Sequence, residues 1–238
     1  MANDPRLGTQ DLGDLPFDAP ARSPRTEAKR QQIIDTAMRT FAENGYQGAR
    51  VEDIASELGI AKGSVFQYFG TKEGLFLAAY RQALLTSMTY FDAPEETLDA
   101  GFFATIRYWL NQTEHLVRED WIPYRVLLIG NYGTDLRLKR EINRLLADDP
   151  YGTVAFVKYG LETGEVREDI EQEMLVSIVD WLMERFQDAL VTEELDPGLF
   201  HRRGDTAERR EQRIEQFIEL IRSAVGSDQA KDAAASKS

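Results

Sequence analysis

Residues 51–69 of this 238-residue chain read VEDIASELGIAKGSVFQYF, and their spacing predicts two short helices around a tight turn. Apolar residues recur in the first helix at i, i+3, i+4 and i+7: Val51, Ile54, Ala55 and Leu58. Gly59 follows at once, where a helix end favours a residue that can turn left-handed. In the second helix Val65 and Phe69 lie four apart and face inward, which leaves small, polar and basic side chains outside. This pattern is typical of a helix-turn-helix, and an ordinary helical hairpin of an all-α protein is the alternative.

The composition bounds the class of protein. Hydrophobic residues make up 42% of the chain, which is enough for a core, and the absence of cysteine excludes disulfides and thiolate metal sites. The first twenty residues are acidic and lack the apolar centre of a signal peptide. No run approaches the roughly 18 apolar residues that cross a bilayer. We therefore expect a cytoplasmic protein with no membrane partner, no metal and no cofactor.

The net charge of −13 is unevenly distributed. Residues 21–90 carry nine Lys/Arg and seven Asp/Glu, whereas residues 91–238 carry 18 and 30. A slightly basic segment is thus joined to a strongly acidic body, and only the former could tolerate DNA. This asymmetry predicts two domains.

Helical periodicity extends over most of the chain and predicts an all-α fold with an N-terminal helix-turn-helix domain and a larger C-terminal helical domain. We expect a disordered arm at 1–24, the DNA-binding domain at 25–92, a ligand-binding and dimerisation domain at 93–225, and a disordered tail at 226–238. The first domain should hold a helix at about 25–44 that stops at Asn44-Gly45, the two helices within 51–69, and a helix that starts after Thr71 as its N-cap and runs to about 91. Further helices are expected at about 95–117, 118–130, 134–162 with a break at Pro150, 171–192 and 206–225.

Several linked motifs between Thr26 and Leu77 resemble the DNA-binding region of the tetracycline-repressor (TetR) family. They are F-A-x-x-G-Y at the end of helix 1, V-x-D-I-A in helix 2, G-I-x-K-G-S-V-F-x-Y-F across the turn and helix 3, and T-K-E-x-L-F at the start of helix 4. A weaker likeness is GEVREDIEQEM at 164–174, before the penultimate helix. The resemblance implies a homodimeric transcriptional regulator.

By position in these motifs, the resemblance implies a set of residues that face the major groove and its flanking phosphates: Lys62, Gly63, Ser64, Gln67, Tyr68 and Lys72. Lys62 is the candidate for reading guanine, Gln67 could read adenine or bond a phosphate, and Gly63 allows the backbone to approach DNA. Lys72, at the start of helix 4, would hold a phosphate beside a helix N-terminus.

Two positions depart from the family pattern. Arg50 stands where a serine or threonine usually caps helix 2, and arginine cannot accept the N–H bond that such a cap supplies, worth about 1 kcal/mol. Glu52 and Asp53 compensate in part through the helix dipole, and Arg50 is instead a candidate phosphate contact. Ala61 replaces another customary serine. These departures bear on base preference and leave the predicted fold unchanged.

The penultimate helix, at 171–192, carries apolar residues around nearly its whole circumference, so it must bury more than one face. The final helix, at 206–225, adds one stripe: Ile214, Phe217, Ile218 and Ile221. Both helices are expected to pair with their copies in a homodimer, as the resemblance also implies. A large monomeric core is the alternative.

The middle helices are rich in aromatic residues, which either fill the core or line a cavity for an apolar or aromatic ligand. The candidate ligand-binding residues are Phe103, Tyr108, Trp109, Gln112, His115, Trp121 and Tyr124. Among them Tyr108, Gln112 and His115 follow at i, i+4 and i+7, and we expect these polar groups to orient the ligand.

Nothing in the sequence indicates an enzyme. It holds two histidines and no cysteine, and no nucleophile elbow, phosphate loop or zinc-protease pattern occurs. We interpret the chain as a homodimeric repressor that binds a palindromic operator and is released by a small apolar or aromatic ligand. The alternative is a ligand-binding or protein-interaction module that no longer binds DNA, which only Arg50 and Ala61 favour.

Overall fold

The computed structural model describes residues 23–146, 152–197, 200–201 and 206–235, and the regular structure within these ranges is helical. The α-helices are α1 Pro24–Gly48, α2 Val51–Glu57, α3 Lys62–Phe69, α4 Lys72–Met88, α5 Glu95–Asp99, α6 Phe102–Glu119, α7 Trp121–Tyr132, α8 Leu136–Leu146, α9 Thr153–Glu162, α10 Gln172–Val191, α11 Ala207–Val225 and α12 Asp228–Ala235. The predicted all-α class is confirmed. None of the described helices is long and apolar enough to cross a membrane.

The ends of the first helices follow the local signals. The Ser23 hydroxyl accepts the N–H of Thr26 at the start of α1, and Gly45, with φ 68°, leaves the helical region just after Asn44 as predicted. The predicted disordered arm lies outside the described residues, apart from Ser23 and Pro24, which begin α1.

The predicted turn between α2 and α3 is present. Gly59 adopts φ 63°, a left-handed conformation that glycine reaches without strain, and the N–H of Ile60 donates to the carbonyl of Ala55. At the next corner the Thr71 hydroxyl accepts the N–H of Gly74 over 2.9 Å, which caps α4 as predicted.

The described residues form two compact units. We call residues 23–90 with 118–146 the helix-turn-helix unit, and residues 91–117 with 152–235 the acidic unit. The sequence division at 92/93 assigned α7 and α8 to the second domain, but these helices pack with α1 and α4. Val126, Leu127 and Leu138 join the same hydrophobic core as the helix-turn-helix motif.

Gly130 shows how closely α7 approaches α4. A Cβ atom at this position would lie 2.5 Å from the Tyr80 ring, which is closer than real Cβ contacts allow. The Tyr80 hydroxyl donates to Asn131 Oδ1 over 2.7 Å, and Lys139 of α8 donates to the Asn131 carbonyl over 3.0 Å. Glycine at 130 therefore permits the contact that holds α7 and α8 in this unit.

The acidic unit is built on stacked aromatic rings. Phe102 of α6 stacks on Phe156 of α9 with ring centroids 4.3 Å apart, and Phe186 of α10 stacks on Phe217 of α11 at 3.8 Å. The single helix predicted at 95–117 is two helices, because Gly101 adopts φ 104° between α5 and α6. The predicted helix at 134–162 is also two, α8 and α9, and Pro150 lies outside the described residues.

The prediction of a disordered tail at 226–238 is wrong for most of that segment, because α12 occupies Asp228–Ala235. The chain is anchored before α12 by backbone pairing, in which Arg167 donates to the carbonyl of Val225 and Ser227 donates to that of Glu165. The Ser227 hydroxyl also donates to the Gly164 carbonyl over 2.6 Å. Disorder was predicted because residues 226–238 are rich in Ala, Ser and Lys. That composition gives no information about these long-range hydrogen bonds. Residues 236–238 lie outside the described residues.

Candidate nucleic-acid interface

Helix α3 has one buried and one open face. Val65 and Phe69 are fully buried against the core of the helix-turn-helix unit. On the opposite side Lys62, Gly63 and Gln67 are exposed, while Ser64 and Tyr68 are half-buried. The residues predicted to contact DNA on α3 are thus brought together on one exposed surface. Because Val65 and Phe69 fix the buried side of α3, the other side of the helix must face outward.

Lys62 is held at the start of this surface by α2. Its ammonium donates to Glu52 Oε1 over 2.5 Å and lies 5.4 Å from the centroid of the Phe66 ring. The hydrogen bond from Lys62 lowers the pKa of the Glu52 carboxyl, so this group is ionised near neutrality. An exposed ion pair adds little to stability, and a DNA phosphate or base can therefore replace Glu52 at small cost.

Gly63 has no packing neighbour among the described residues. A Cβ added there would meet none of their atoms within 4 Å, and the residue lies in the first turn of α3 with ordinary helical geometry. Alanine would favour the helix over glycine by about 0.5–1 kcal/mol, so the isolated unit offers no reason for glycine. A surface that must come close to another molecule does offer one.

Lys72 lies at the start of α4 and is tied to the end of α1. Its ammonium donates to the carbonyl of Gln47 over 3.2 Å and lies 5.0 Å from the centroid of the Tyr46 ring. Partial burial lowers the pKa of Lys72, although the charge of Glu52 acts in the opposite direction. The side chain is thus fixed in position at the N-terminus of α4, where an anion would meet both a cation and free N–H groups.

Arg50 occupies the N-cap position of α2 and makes no capping hydrogen bond, as its side-chain chemistry predicts. Ala61 is equally without a side-chain cap at the start of α3. Arg50 is exposed, and no ion pair joins it to another described residue. Its guanidinium is therefore available for a phosphate.

Sequence reasoning did not find the partners of the two lysines. From the sequence, Glu52 was expected only to interact with the dipole of helix 2. Tyr46 entered only as the last residue of the F-A-x-x-G-Y motif. The ten-residue separation of Glu52 and Lys62 spans a turn, so no helical spacing rule brings the pair together. The only available signal was their placement in adjoining first turns of α2 and α3.

The candidate ligand residues fall into two groups. Phe103, Tyr108, Trp109, Gln112 and His115 belong to α6 in the acidic unit, whereas Trp121 and Tyr124 belong to α7 in the helix-turn-helix unit.

Within α6 the predicted residues differ in their surroundings. Phe103 is buried against Phe102, with ring centroids 5.2 Å apart. Trp109 Nε1 donates to the carbonyl of Phe91 over 2.9 Å, and the Tyr108 hydroxyl donates to that of Asp92 over 3.2 Å. Gln112 is half-buried and His115 is exposed. On α7, Tyr124 is buried and Trp121 is exposed.

The predicted dimerisation helices carry an exposed apolar face. Leu175 and Val179 of α10 are buried in the acidic unit, while Met174 and Trp181 are 50% and 62% exposed and Leu182 is also exposed. Leu220 of α11 is 69% exposed. Large apolar side chains on one face of a helix mark a protein contact surface when they are contiguous.

Comparison with known proteins gives the same picture for the N-terminal part. Residues 33–79, from α1 into α4, match the model of the family described as bacterial regulatory proteins, tetR family. The chain is 28% identical over 172 residues to the HTH-type transcriptional repressor AcnR of Corynebacterium glutamicum, covering 71% of this chain and 86% of the relative. It is 40% identical over 63 residues to the HTH-type transcriptional regulator RutR of Escherichia coli K12, covering 26% and 30%.

Among solved structures, the fold is similar to that of the transcriptional regulator FadR of Bacillus subtilis in complex with stearoyl-CoA. The TM-score is 0.62 at 19% identity, over 82% of this chain and 98% of that one. This likeness extends the agreement in fold beyond the helix-turn-helix.

Proposed function

Because the chain belongs to the TetR family of bacterial regulatory proteins, we propose that it is a homodimeric repressor that binds a palindromic operator through α3 and leaves it on binding a small ligand. Its family and relatives are transcriptional regulators, and DNA binding is the activity they share. The single observation that carries the proposal is the open face of α3.

The roles of the DNA-facing residues follow from their positions. Lys62 exchanges the Glu52 carboxylate for a guanine edge or a phosphate in the major groove, and Gln67 contacts the next base or its phosphate. The bare helix surface at Gly63 lets α3 enter the groove deeply. Ser64 and Tyr68 flank this surface and bond the sugar–phosphate backbone.

Phosphate contacts fix the register of the motif on the duplex. Lys72 at the α4 N-terminus and Arg50 at the α2 N-terminus each place a cation where free backbone N–H groups already attract an anion. The two helix ends would clamp the DNA backbone on both sides of the groove that α3 enters.

Dimerisation uses the outer face of α10 with α11. Met174, Trp181, Leu182 and Leu220 would lose most of their exposed apolar surface in a two-fold four-helix contact. Two α3 helices would then enter successive major grooves about 34–36 Å apart, and this spacing requires a palindromic operator.

The effector proposed is apolar or aromatic. The aromatic candidate residues on α6, Phe103, Tyr108 and Trp109, support this proposal. The Bacillus subtilis FadR structure of similar fold holds stearoyl-CoA, so such a helical body can accommodate a long apolar chain. Release from DNA requires the ligand to bind the DNA-incompetent state more tightly, by about 1–3 kcal/mol for a typical coupling. Equal operator affinity with and without bound effector would contradict this step.

Selection of binding sites from random duplex DNA tests the function. We expect enrichment of a palindrome that is bound by a dimer and whose affinity falls steeply as salt rises. Lys62→Ala and Tyr68→Ala should weaken binding to this palindrome while keeping the fold. If no sequence is enriched at low salt without ligand, the repressor proposal fails. The alternative, a ligand-binding or protein-interaction module, would then stand.

A further inference from the structure

Helix α8 carries a row of arginines on its exposed side. Arg137, Arg140 and Arg144 follow at i, i+3 and i+7 and are all exposed, while Leu138, Ile142 and Leu145 are buried on the other side. Side chains at this spacing lie on one face of a helix and here span about 10 Å along it. The row is therefore a linear basic surface.

The first two arginines form no ion pair within the part of the chain that the structure describes. Arg144 pairs with Glu141 over 2.5 Å, but no ion pair joins Arg137 or Arg140 to another described residue. The helix as a whole holds four Lys/Arg and one Glu. Lys139 is directed instead to the carbonyl of Asn131, on the side facing α7.

Helix α8 and the Tyr46 ring beside Lys72 pack against the same hydrophobic core. Helix α8 packs on α4, and the Tyr46 ring contacts both Phe76 of α4, at 5.1 Å, and the Lys72 ammonium. Burial raises the pKa of the Tyr46 phenol, with further increases from Glu73 and Asp135 and a decrease from Arg137. Arg137, in the first turn of α8, is thus among the charges that act on the phenol of the ring beside Lys72.

The charges of the two units separate in the same way. Residues 23–90 and 118–146 hold fourteen Lys/Arg and eleven Asp/Glu, whereas residues 91–117 and 152–235 hold eleven and twenty-four. The unit that contains α8 thus differs from the other by its positive sign. A basic row in such a unit suits a polyanion.

We propose that the arginine row of α8, led by Arg137 and Arg140, is a second DNA-contacting surface that binds backbone phosphates flanking the operator half-site. This inference rests on the proposed function and extends it outside the helix-turn-helix motif. The contacts are to phosphates, because exposed arginines outside the helix that enters the major groove meet the DNA backbone and reach no base edge. It therefore adds affinity and salt dependence without changing the preferred sequence.

The test compares Arg137→Gln/Arg140→Gln with a control that removes two charges elsewhere, Lys158→Gln/Lys231→Gln in the acidic unit. Lys158 and Lys231 form only ion pairs of 3.8 and 3.9 Å with Glu162 and Asp228. Affinity for the selected palindrome and for a scrambled duplex is measured from 50 to 300 mM salt. Thermal unfolding and sedimentation without DNA check the fold and the oligomeric state.

We expect the α8 variant to bind both duplexes more weakly, by about 10²-fold at the lowest salt, and to lose about four units of the salt slope, because each dimer carries four substituted arginines. Its ratio of specific to non-specific affinity should stay that of the wild type, and the control should keep the wild-type slope. In an ethylation-interference experiment, the wild type and the control should be sensitive to ethylation of phosphates outside the half-site. The α8 variant should lose this sensitivity.

Two results would overturn the inference. A wild-type salt slope in the α8 variant, with Lys62→Ala defective, rejects the α8 surface and leaves the repressor function intact. A changed oligomeric state without DNA would instead assign the row to a protein contact. If the wild type selects no DNA and binds the scrambled duplex as well as any other, the proposed function itself has failed. This outcome differs from a failure of the α8 surface alone, in which the wild type still prefers the palindrome.

Discussion

The two units of the molecule differ in charge, in surface and in the way their sequences determine them. The helix-turn-helix unit has a positive balance and presents a polar and basic face on α3, whereas the acidic unit is strongly negative and presents the apolar residues of α10 and α11. The first surface is suited to a polyanion and the second to an uncharged protein face. The negative charge of the acidic unit also repels DNA. We therefore expect DNA to contact the helix-turn-helix unit and not the acidic unit.

The largest effect should come from breaking the apolar surface of the acidic unit. Trp181→Asp places a charge among residues that we expect to be buried in the dimer. It should shift the protein to monomers and weaken operator binding by at least about 2 kcal/mol. Sedimentation and operator titration measure both effects.

Trp121→Asp is the matched control, because Trp121 is 47% exposed but lies on α7 of the other unit. This variant should remain a dimer. Dimers of unchanged stability in Trp181→Asp would remove α10 from the interface.

Replacement of Lys62 tests the other surface. Lys62→Ala should cost about 1–3 kcal/mol of affinity for the selected palindrome and much less for a scrambled duplex, because a base contact is lost. Lys62→Ala also removes the ion pair with Glu52. Because this pair is exposed and adds little stability, the melting temperature of the variant should stay close to that of the wild type. An equal loss on both duplexes would reduce Lys62 to a phosphate contact.

Gly130→Ala tests whether α7 belongs to the helix-turn-helix unit. The added Cβ would lie 2.5 Å from the Tyr80 ring and 2.9 Å from Ile142, so the variant should lose about 1–3 kcal/mol of unfolding free energy. Hydrogen exchange should show faster exchange in α1 and α4 as well as in α7. Protection that drops in α7 alone would mean that α7 is not part of the core of this unit.

Gly63→Ala should separate stability from DNA binding. The new methyl group meets no atom of the described residues, so the free energy of unfolding should rise by about 0.5–1 kcal/mol while operator affinity falls. Chemical denaturation and DNA titration on the same preparation measure the two quantities. Unchanged affinity would show that the α3 surface does not approach DNA at this residue.

The smallest effect is expected from Glu52→Gln. Without the carboxylate, Lys62 loses its ionic partner in the protein, and affinity for the scrambled duplex should rise by about two- to threefold. Affinity for the palindrome should rise less, because discrimination depends on contacts that stay the same. Weaker binding to both duplexes would indicate that Glu52 positions Lys62 for DNA.

Local sequence signals were sufficient for the elements of the motif. Gly45 ends the regular part of α1, Gly59 forms the turn before α3, and Thr71 caps α4, each as predicted from its own chemistry. The exposed side of α3 also follows from Val65 and Phe69, because two buried positions orient a short helix. These features involve residues only a few positions apart.

Long-range contacts could not be predicted in this way. The placement of α7 and α8 depends on the contact of Gly130 with Tyr80, which is fifty residues earlier in the chain. The C-terminal α12 depends on bonds from Ser227 to the segment around Gly164 and Glu165. The candidate ligand residues were grouped by composition, and composition does not show that they belong to two units.

The most direct test of the account is the affinity of wild-type protein and Lys62→Ala for the selected palindrome and for a scrambled duplex of the same length. Both are titrated by fluorescence anisotropy at physiological salt. We predict that the wild type prefers the palindrome by about 10³-fold or more and that Lys62→Ala reduces that preference by about 1–3 kcal/mol. Equal wild-type affinity for the two duplexes would contradict the claim that α3 reads DNA sequence.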